Sequence, residues 1–423
     1  MAGSVKGGGH ATYLVNNNAD SALATFRFRL AGMAMEAAEE PFEADGHKFN
    51  RGTFVIAATG NGDRSQIEAA AHDLGIAVFG TDARLTVARH TLEAPRVGLL
   101  HNWTNTQQDG WFRVTLDQLK IPYAYVADTK IRETSNLRDQ FDVILVPPFA
   151  GSLASAMQGL PIQGNAMPWK TTAETPSFGA PGLDSSDDIR GGFGYSGIAS
   201  LERFVREGGL LVAVGESAAL PVEGGMTRAV SLRPPQKLVC PGDVLLAGVE
   251  DAKSPIAYGY GDKLYLYYSE NPILNVSLGF GGGEESNASR PSGRGSATDP
   301  DVIQGRPYAT PERPPKRTAR EKELYVPEEV RAYAGWRIPP ANELPRVILR
   351  FAEAGNLLVS GLLDGGAELA EKPAVVDVPH GQGHIVLFSN NPMWRNETSG
   401  SYFLLFNAIM NYRHLDVGRE SKP

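Results

Sequence analysis

Phe141-Asp142-Val143-Ile144-Leu145-Val146-Pro147-Pro148 is an apolar run too short for a helix, rich in β-branched residues and stopped by two prolines. No polar residue alternates with its apolar core, so it reads as a strand buried on both faces. Proline has no N–H to give a sheet ladder, so Pro147 and Pro148 mark its end. Downstream, Ile198, Leu201, Phe204 and Val205 form a helix face that stops at Gly208-Gly209, and Leu210 to Val214 is the next apolar strand. Upstream, Val97-Gly98-Leu99-Leu100 is another buried strand. Phe112, Leu116 and Leu119 then give a helix face stopped by Pro122, and Tyr123 to Val126 a further strand. Apolar strands alternating with helices predict an α/β fold whose parallel sheet is covered on both faces.

The flanks extend this pattern. Near the start, Ala11 to Val15 reads as a strand, and Asn18 or Asp20 as a cap for a helix carrying Leu23, Phe26 and Leu30. Met35 to Glu43 and Thr53 to Ala58 read as two strands, with Ala44-Asp45-Gly46-His47 as a turn between them. A helix from Arg64 to Leu74 ends at Gly75, and Ile76 to Phe79 starts another strand. Residues 1–95 are therefore expected to form a small α/β unit, and 96–423 a larger α/β domain. Gly281 to Arg320 is rich in Gly, Ser, Pro and Arg and poor in large apolar residues, which predicts a disordered insert over about 281–335. Beyond it, Arg346 to Phe351 and Asn356 to Leu363 resume ordered structure. Ala374 to Val378 and His384 to Phe388 read as a hairpin around Gly381-Gln382-Gly383, and Ser401 to Tyr412 as a closing apolar helix.

Composition narrows the function classes. The chain has 423 residues, enough for two or three domains at roughly 150 each. Lys plus Arg total 40 against 48 Asp plus Glu, a formal charge of −8 that argues against a nucleic-acid-binding surface. The single cysteine, Cys240, excludes an intramolecular disulfide and a multi-cysteine zinc site, and it reads as a small buried hydrophobe. No apolar run approaches the ~18–20 residues of a membrane span. The glycine-rich start, Met1 to Gly9, has no hydrophobic signal segment.

Several local patterns carry chemistry, each beside a plainer reading. Thr53 to Ser65 is a strand, a Gly60/Gly62 turn and a helix start, as in a dinucleotide fingerprint with Asp82 as a ribose contact. Ser65 stands where the third glycine belongs, and an ordinary turn explains the pattern as well. His90-Thr91-Leu92-Glu93 has the His-x-x-Glu spacing of a zinc site, but lacks a third ligand and a general base. His380 and His384 flank a glycine turn and read as surface histidines. Asp184, Asp187 and Asp188 lie in a Ser/Gly-rich loop and read as solvated or capping groups rather than cation ligands. After the strand ending at Val214, Gly215-Glu216-Ser217-Ala218-Ala219 approaches the nucleophile-elbow pattern Gly-x-Ser-x-Gly, with Ala219 in place of the last glycine. Ser217 and Glu216 are thus the candidate catalytic residues, against a structural turn. Trp103, Trp111, Trp336 and Trp394 are available to stack on a sugar or peptide, or to fill the core.

Four ordered stretches resemble the region downstream of the catalytic domain in bacterial zinc carboxypeptidase-family proteins. They are Val97 to Trp103 with Asp109-Gly110-Trp111; Phe141 to Pro147; Gly197 to Val212; and Leu357 to Gly361 through Gly381 to His384, Trp394-Arg395 and Leu404 to Asn407. Asn17 to Gly52 resembles the stretch that links the peptidase domain to that region. The resemblance implies a flavodoxin-like, class I glutamine amidotransferase-like sheet, in which an active enzyme holds a cysteine at the turn after the central strand. Gly215-Glu216-Ser217 occupies that turn here, so glutamine hydrolysis is not expected. The resemblance further implies that zinc belongs to a peptidase domain preceding this chain, with no metal or cofactor residues in the chain itself. The expected role is a non-catalytic accessory region, partnered by that domain and by a peptide or small-molecule ligand, in a periplasmic or secreted protein. A hydrolase using Ser217 and a stand-alone ligand-binding module remain the alternatives.

Overall fold

The computed structural model describes residues 2–58, 60, 62–149, 151–174, 184–269, 271–276 and 344–419. The first strands are β1 (Ser4–Lys6), β2 (Thr12–Val15), β3 (Glu36–Ala38), β4 (Phe42–Ala44), β5 (His47–Phe49), β6 (Phe54–Ala57), β7 (Ala77–Thr81) and β8 (Arg89–Thr91). Six of them form a sheet in the order β1-β7-β2-β6-β3-β8. Helix α1 (Ala22–Arg29) joins β2 to β3, and α2 (Asp63–Leu74) joins β6 to β7. β2 and β3 each lie antiparallel to β6, which separates them; β6 and β7 each lie antiparallel to β2. Two β-α-β crossovers, each split by a strand of the other, thus interlock in a ferredoxin-like arrangement. Gly75 ends α2 in the left-handed conformation at φ 73°, as its position predicts.

The strand expected from Met35 to Glu43 is broken in two. Glu39 and Glu40 precede Pro41, which cannot donate to a ladder, and the Glu39 carbonyl is taken by the Arg51 side chain at 2.7 Å. The chain then restarts as the β4–β5 hairpin. Its tip residues Asp45 and Gly46 have φ of 48° and 75°, the positive values that a tight two-residue hairpin turn needs.

The second sheet contains β9 (Val97–His101), β10 (Ala124–Ala127), β11 (Val143–Val146) and β12 (Leu210–Val214). β13 (Val230–Arg233) pairs with β16 (Ile273–Val276) in a separate ribbon. The remaining strands are β14 (Asp243–Val249), β15 (Lys263–Tyr268), β17 (Arg346–Phe351), β18 (Leu358–Ser360), β19 (Pro373–His380) and β20 (Gly383–Phe388). Helices α3 (Gln107–Gln118), α4 (Asp128–Glu133), α5 (Leu153–Gln158), α6 (Gly194–Arg206), α7 (Ala219–Glu223) and α8 (Tyr402–Met410) complete the set used below. The main path runs β10-β9-β11-β12-β20-β19-β17-β14-β15, with β18 against β14.

The first five strands of that path are parallel. Taken in chain order, they have the order 2-1-3-4-5, the flavodoxin-like doubly wound arrangement. This is the flavodoxin-like α/β sheet expected above. β19 then turns back on β20, and every pair from there to β15 is antiparallel. The sheet is therefore mixed rather than parallel throughout. Toward its edge the antiparallel half uses partly buried strands, such as β14 with its alternating burial, whereas β19 beside the parallel half is buried over its first six residues.

Described residues before Val276 and after Pro340 belong to one unit. Its buried cluster includes Phe26, Phe54 and Val78 of the N-terminal sheet together with Leu99, Val212 and Val386 of the second. All nine residues of α8 are buried, and the Met410 carbonyl accepts from the Glu93 backbone. The expected insert at about 281–335 lies outside the described residues.

Candidate functional site

In an open α/β sheet, ligands bind beyond the carboxyl ends of the strands, where the winding reverses. Here the reversal falls between β9 and β11. A small, open recess lies there, lined by residues from the β9 exit, the first turn of α3 and Val146 to Phe149. The β9 exit is held by Asn102, whose Oδ1 accepts from the Thr104 and Asn105 backbone N–H groups at 2.9 and 2.8 Å and from the Thr104 hydroxyl at 2.7 Å. Such a side-chain turn folds the loop without help from elsewhere. Pro147 and Pro148 have no N–H, so they supply no backbone donors to the opposite wall.

His101 is the last residue of β9 and is only 4% exposed. Its ring stacks on Tyr125 at 4.0 Å and meets the edge of Trp103 at 4.9 Å. The ring nitrogens make no hydrogen bond of good geometry among the described residues, their polar neighbour being the Asn102 backbone, and the buried Trp103 indole N–H is likewise without one. Burial drives the His101 pKa down to about 4, against opposing pulls from the Asn102 backbone and from Asp184. At neutral pH the imidazole is therefore uncharged, with one N–H donor and one acceptor nitrogen. Asp109, in the first turn of α3, accepts the Tyr125 hydroxyl at 2.5 Å, and burial pushes its carboxyl up to about 6. The Arg113 guanidinium lies 4.7 Å from the centre of the Tyr125 ring. Asp128, just after β10, is also buried and is raised to about 7.

The candidate elbow is elsewhere along the same edge. Gly215 adopts φ 57°, and a Cβ there would sit 2.7 Å from Asn271 Oδ1, so the turn requires glycine. Ser217 is fully buried, and its hydroxyl donates to the Pro147 carbonyl. The carboxyl of Glu216 is raised by burial. The nucleophile candidate thus braces the β12 exit against the β11 exit rather than facing solvent.

The other sequence candidates are dispersed. Asp82 accepts the His10 and Ala11 backbone N–H groups at 2.8 and 2.9 Å, and Asp63 accepts the Gly60 N–H at 2.9 Å. β2 separates the strands that flank that turn, whereas a dinucleotide fold pairs them directly. His90 bridges Glu39 at 3.2 Å and Asn411 at 2.9 Å, tying the N-terminal sheet to the end of α8. His380 bonds Glu202 at 3.1 Å. His384 is not at the surface: it is buried, because Asp377 draws its ring into an ion pair at 2.7 Å. Asp187 pairs with Lys170 and Asp188 with Arg190, while Asp184 is buried near His101. Cys240 is buried. Trp111 and Trp394 meet at 6.1 Å, Trp103 lies 5.9 Å from the half-exposed Trp169, and Trp336 falls outside the described residues. Among the described residues no three His, Cys, Asp or Glu side chains are grouped to hold a metal ion, and no helix is long and apolar enough to cross a membrane.

His101, Asp109 and Tyr125 do not announce themselves in the sequence as a site. The only local signal is a polar residue at the carboxyl end of the first apolar strand, the place where doubly wound folds put ligands.

No protein-family model matches the chain, and no curated protein matches it. Solved structures similar to it include a ThuA-like protein from Bacteroides uniformis, 9% identical, with a TM-score of 0.35, over 78% of this chain and 94% of that one. A cytoplasmic protein from Salmonella typhimurium is 10% identical, with a TM-score of 0.36, over 74% of this chain and 97% of that one. A β-galactosidase from Bacillus circulans is 8% identical, with a TM-score of 0.34, over 76% of this chain and 31% of that one.

Proposed function

We propose that this chain is a non-catalytic accessory region of a zinc carboxypeptidase-like protein, and that it binds a small ligand at the strand ends of its parallel sheet. The observation that carries the reading is Ser217. An amidotransferase holds its cysteine at the turn after this strand; here the turn holds a buried hydroxyl that donates to the Pro147 carbonyl. A hydroxyl committed to a carbonyl has no base to take its proton, so the step that begins acyl transfer is missing. The recess beside it keeps the other property of the fold, a polar pocket at the switch point. In this role zinc belongs to a separate peptidase domain, and the protein works in the periplasm or outside the cell.

Two measurements test this. The DNA upstream of the Met1 codon is expected to continue in frame through His-x-x-Glu and a later histidine; an immediate in-frame stop overturns the link to a peptidase. The purified chain is expected to release no ammonia from glutamine and to resist a fluorophosphonate probe. Labelling of the wild type but not of Ser217→Ala would establish a serine hydrolase instead.

A further inference from the structure

We infer that His90 is a proton-operated latch between the N-terminal sheet and the end of α8, closed when both of its ring nitrogens carry hydrogen and the neighbouring His414 is uncharged. This latch is separate from the strand-end site proposed above.

The bonds around His90 fix where its hydrogens must be. The Asn411 amide nitrogen donates to the Asn407 carbonyl at 2.8 Å, so the Asn411 oxygen is the atom that faces His90 Nε2 at 2.9 Å. That oxygen only accepts, which requires hydrogen on Nε2. Across the ring, Nδ1 lies 3.2 Å from a Glu39 oxygen, and an ionised carboxylate also only accepts. Both contacts are hydrogen bonds only in the imidazolium form. A neutral ring has one hydrogen for two acceptors, and sets a lone pair against Glu39 or, in its other tautomer, against Asn411. Turning the Asn411 amide over gives no escape, since its oxygen would then face the Asn407 carbonyl. The His90 side chain is only 4% exposed, so water is poorly placed to replace the lost bond.

The charges packed around the ring single out Glu39 and His414. Arg89, on β8 beside His90, pairs with Glu36. Beyond Glu39, Glu40 pairs with Arg51, and Arg346 pairs with Asp251. Tyr258 lies 6.1 Å from His90 between ring centres, and burial and Glu39 raise its phenol, which stays neutral. The His414 ring lies 4.9 Å away. Burial and the charge on His90 hold the His414 pKa below the ordinary histidine value; Arg413 acts in the same direction, and Glu93 and Glu39 oppose. Two imidazoliums this close repel, so acid that charges His414 works against the latch. Alkali opens it by taking the Nδ1 hydrogen from His90 to bulk water. The latch is therefore closed over a band of pH.

Three backbone bonds cross the same seam and report its state: Glu39 N–H to the Ala88 carbonyl, Leu92 N–H to Met35 and Glu93 N–H to Met410, at 2.8, 2.9 and 2.8 Å. Amide hydrogen exchange of the full chain from about pH 5 to about pH 9, corrected for the intrinsic rate, is expected to show their protection peaking within the band. On the alkaline side it should fall about tenfold or more, while the amides of β11 and β12 keep theirs. His90→Gln keeps a side-chain donor that does not titrate and should flatten the alkaline fall; His414→Gln should remove the acid one. Either fall persisting in its own variant overturns the latch. Selective ¹⁵N-histidine labelling reads the wild type directly. At the pH of greatest protection His90 is expected to show two protonated ring nitrogens and His414 one. A bare Nδ1 on His90 at that pH overturns the inference whatever the variants do.

Discussion

Asp377 carries its charge at a fully buried position on β19, and three neighbours make that tolerable. His384 Nδ1 lies 2.7 Å from one carboxylate oxygen and Arg419 Nη2 lies 2.6 Å from the other, while Asp416 faces both cations. Burial alone would raise the Asp377 pKa, but the His384 and Arg419 charges hold it below the ordinary carboxylate value. Burial likewise opposes the charge on His384, yet Asp377 and Asp416 raise its pKa to about 9. A histidine raised on folding stabilises the protein fully below its unfolded pKa of about 6.5, and that contribution drains away as pH rises through 9. The chain should therefore lose of the order of 3 kcal/mol of stability between about pH 6.5 and pH 10. His384→Ala should cost about 3 kcal/mol near neutral pH and remove most of that alkaline slope, as read by urea melts across pH. A slope that survives the substitution would place the titrating group elsewhere. Ser217→Ala tests a second buried contact: losing the bond to Pro147 should cost about 1 kcal/mol, measured by the same melts.

Helix α8 shows what an apolar run conceals. Its length and hydrophobicity make it legible as a buried closing helix, and the structure agrees over Tyr402–Met410. What the run does not reveal is why Asn407 sits within it. The Asn407 amide donates to the Ile256 and Tyr258 carbonyls at 3.1 and 2.8 Å, satisfying a short turn that α8 covers. Asn407→Leu keeps the branching and heavy-atom count but strands both carbonyls, and should cost about 2 kcal/mol or more, seen as a lower urea midpoint at unchanged slope. The same contrast runs through the other elements. The strands of the parallel half are local apolar runs, so β9, β11 and β12 could be placed from sequence. In the antiparallel half the β19–β20 hairpin and the stretches over β17 and β18 are legible, but β14 and β15 are not, because they mix buried and exposed residues and β14 depends on β17, about 100 residues away. The recess fails for a related reason. The environment of His101 is made by Tyr125, Trp103 and Pro147, and pairing, stacking and burial across three segments leave no mark at any one of them.

At the scale of the whole molecule, the two sheets have different topologies but bury their side chains in one cluster. The link is made by specific groups as well as by apolar contact. His90 on β8 bonds Asn411 beyond α8, the Glu93 backbone bonds the Met410 carbonyl, and the Thr25 hydroxyl on α1 donates to the Leu119 carbonyl at 2.8 Å. The Ala94-Pro95 step reads locally as a linker, and a linker predicts two units that melt apart. A shared core predicts the reverse: opening the N-terminal sheet would expose the inner faces of Phe26, Phe54 and α8 together, and neither half keeps its burial without the other. Differential scanning calorimetry of the full chain should therefore show one cooperative transition covering both sheets, with calorimetric and van't Hoff enthalpies in agreement. His90→Ala removes a buried bridge and should lower that single midpoint without splitting it. Two resolved transitions, or a His90→Ala trace that separates into two, would mean that the N-terminal sheet folds as a domain of its own.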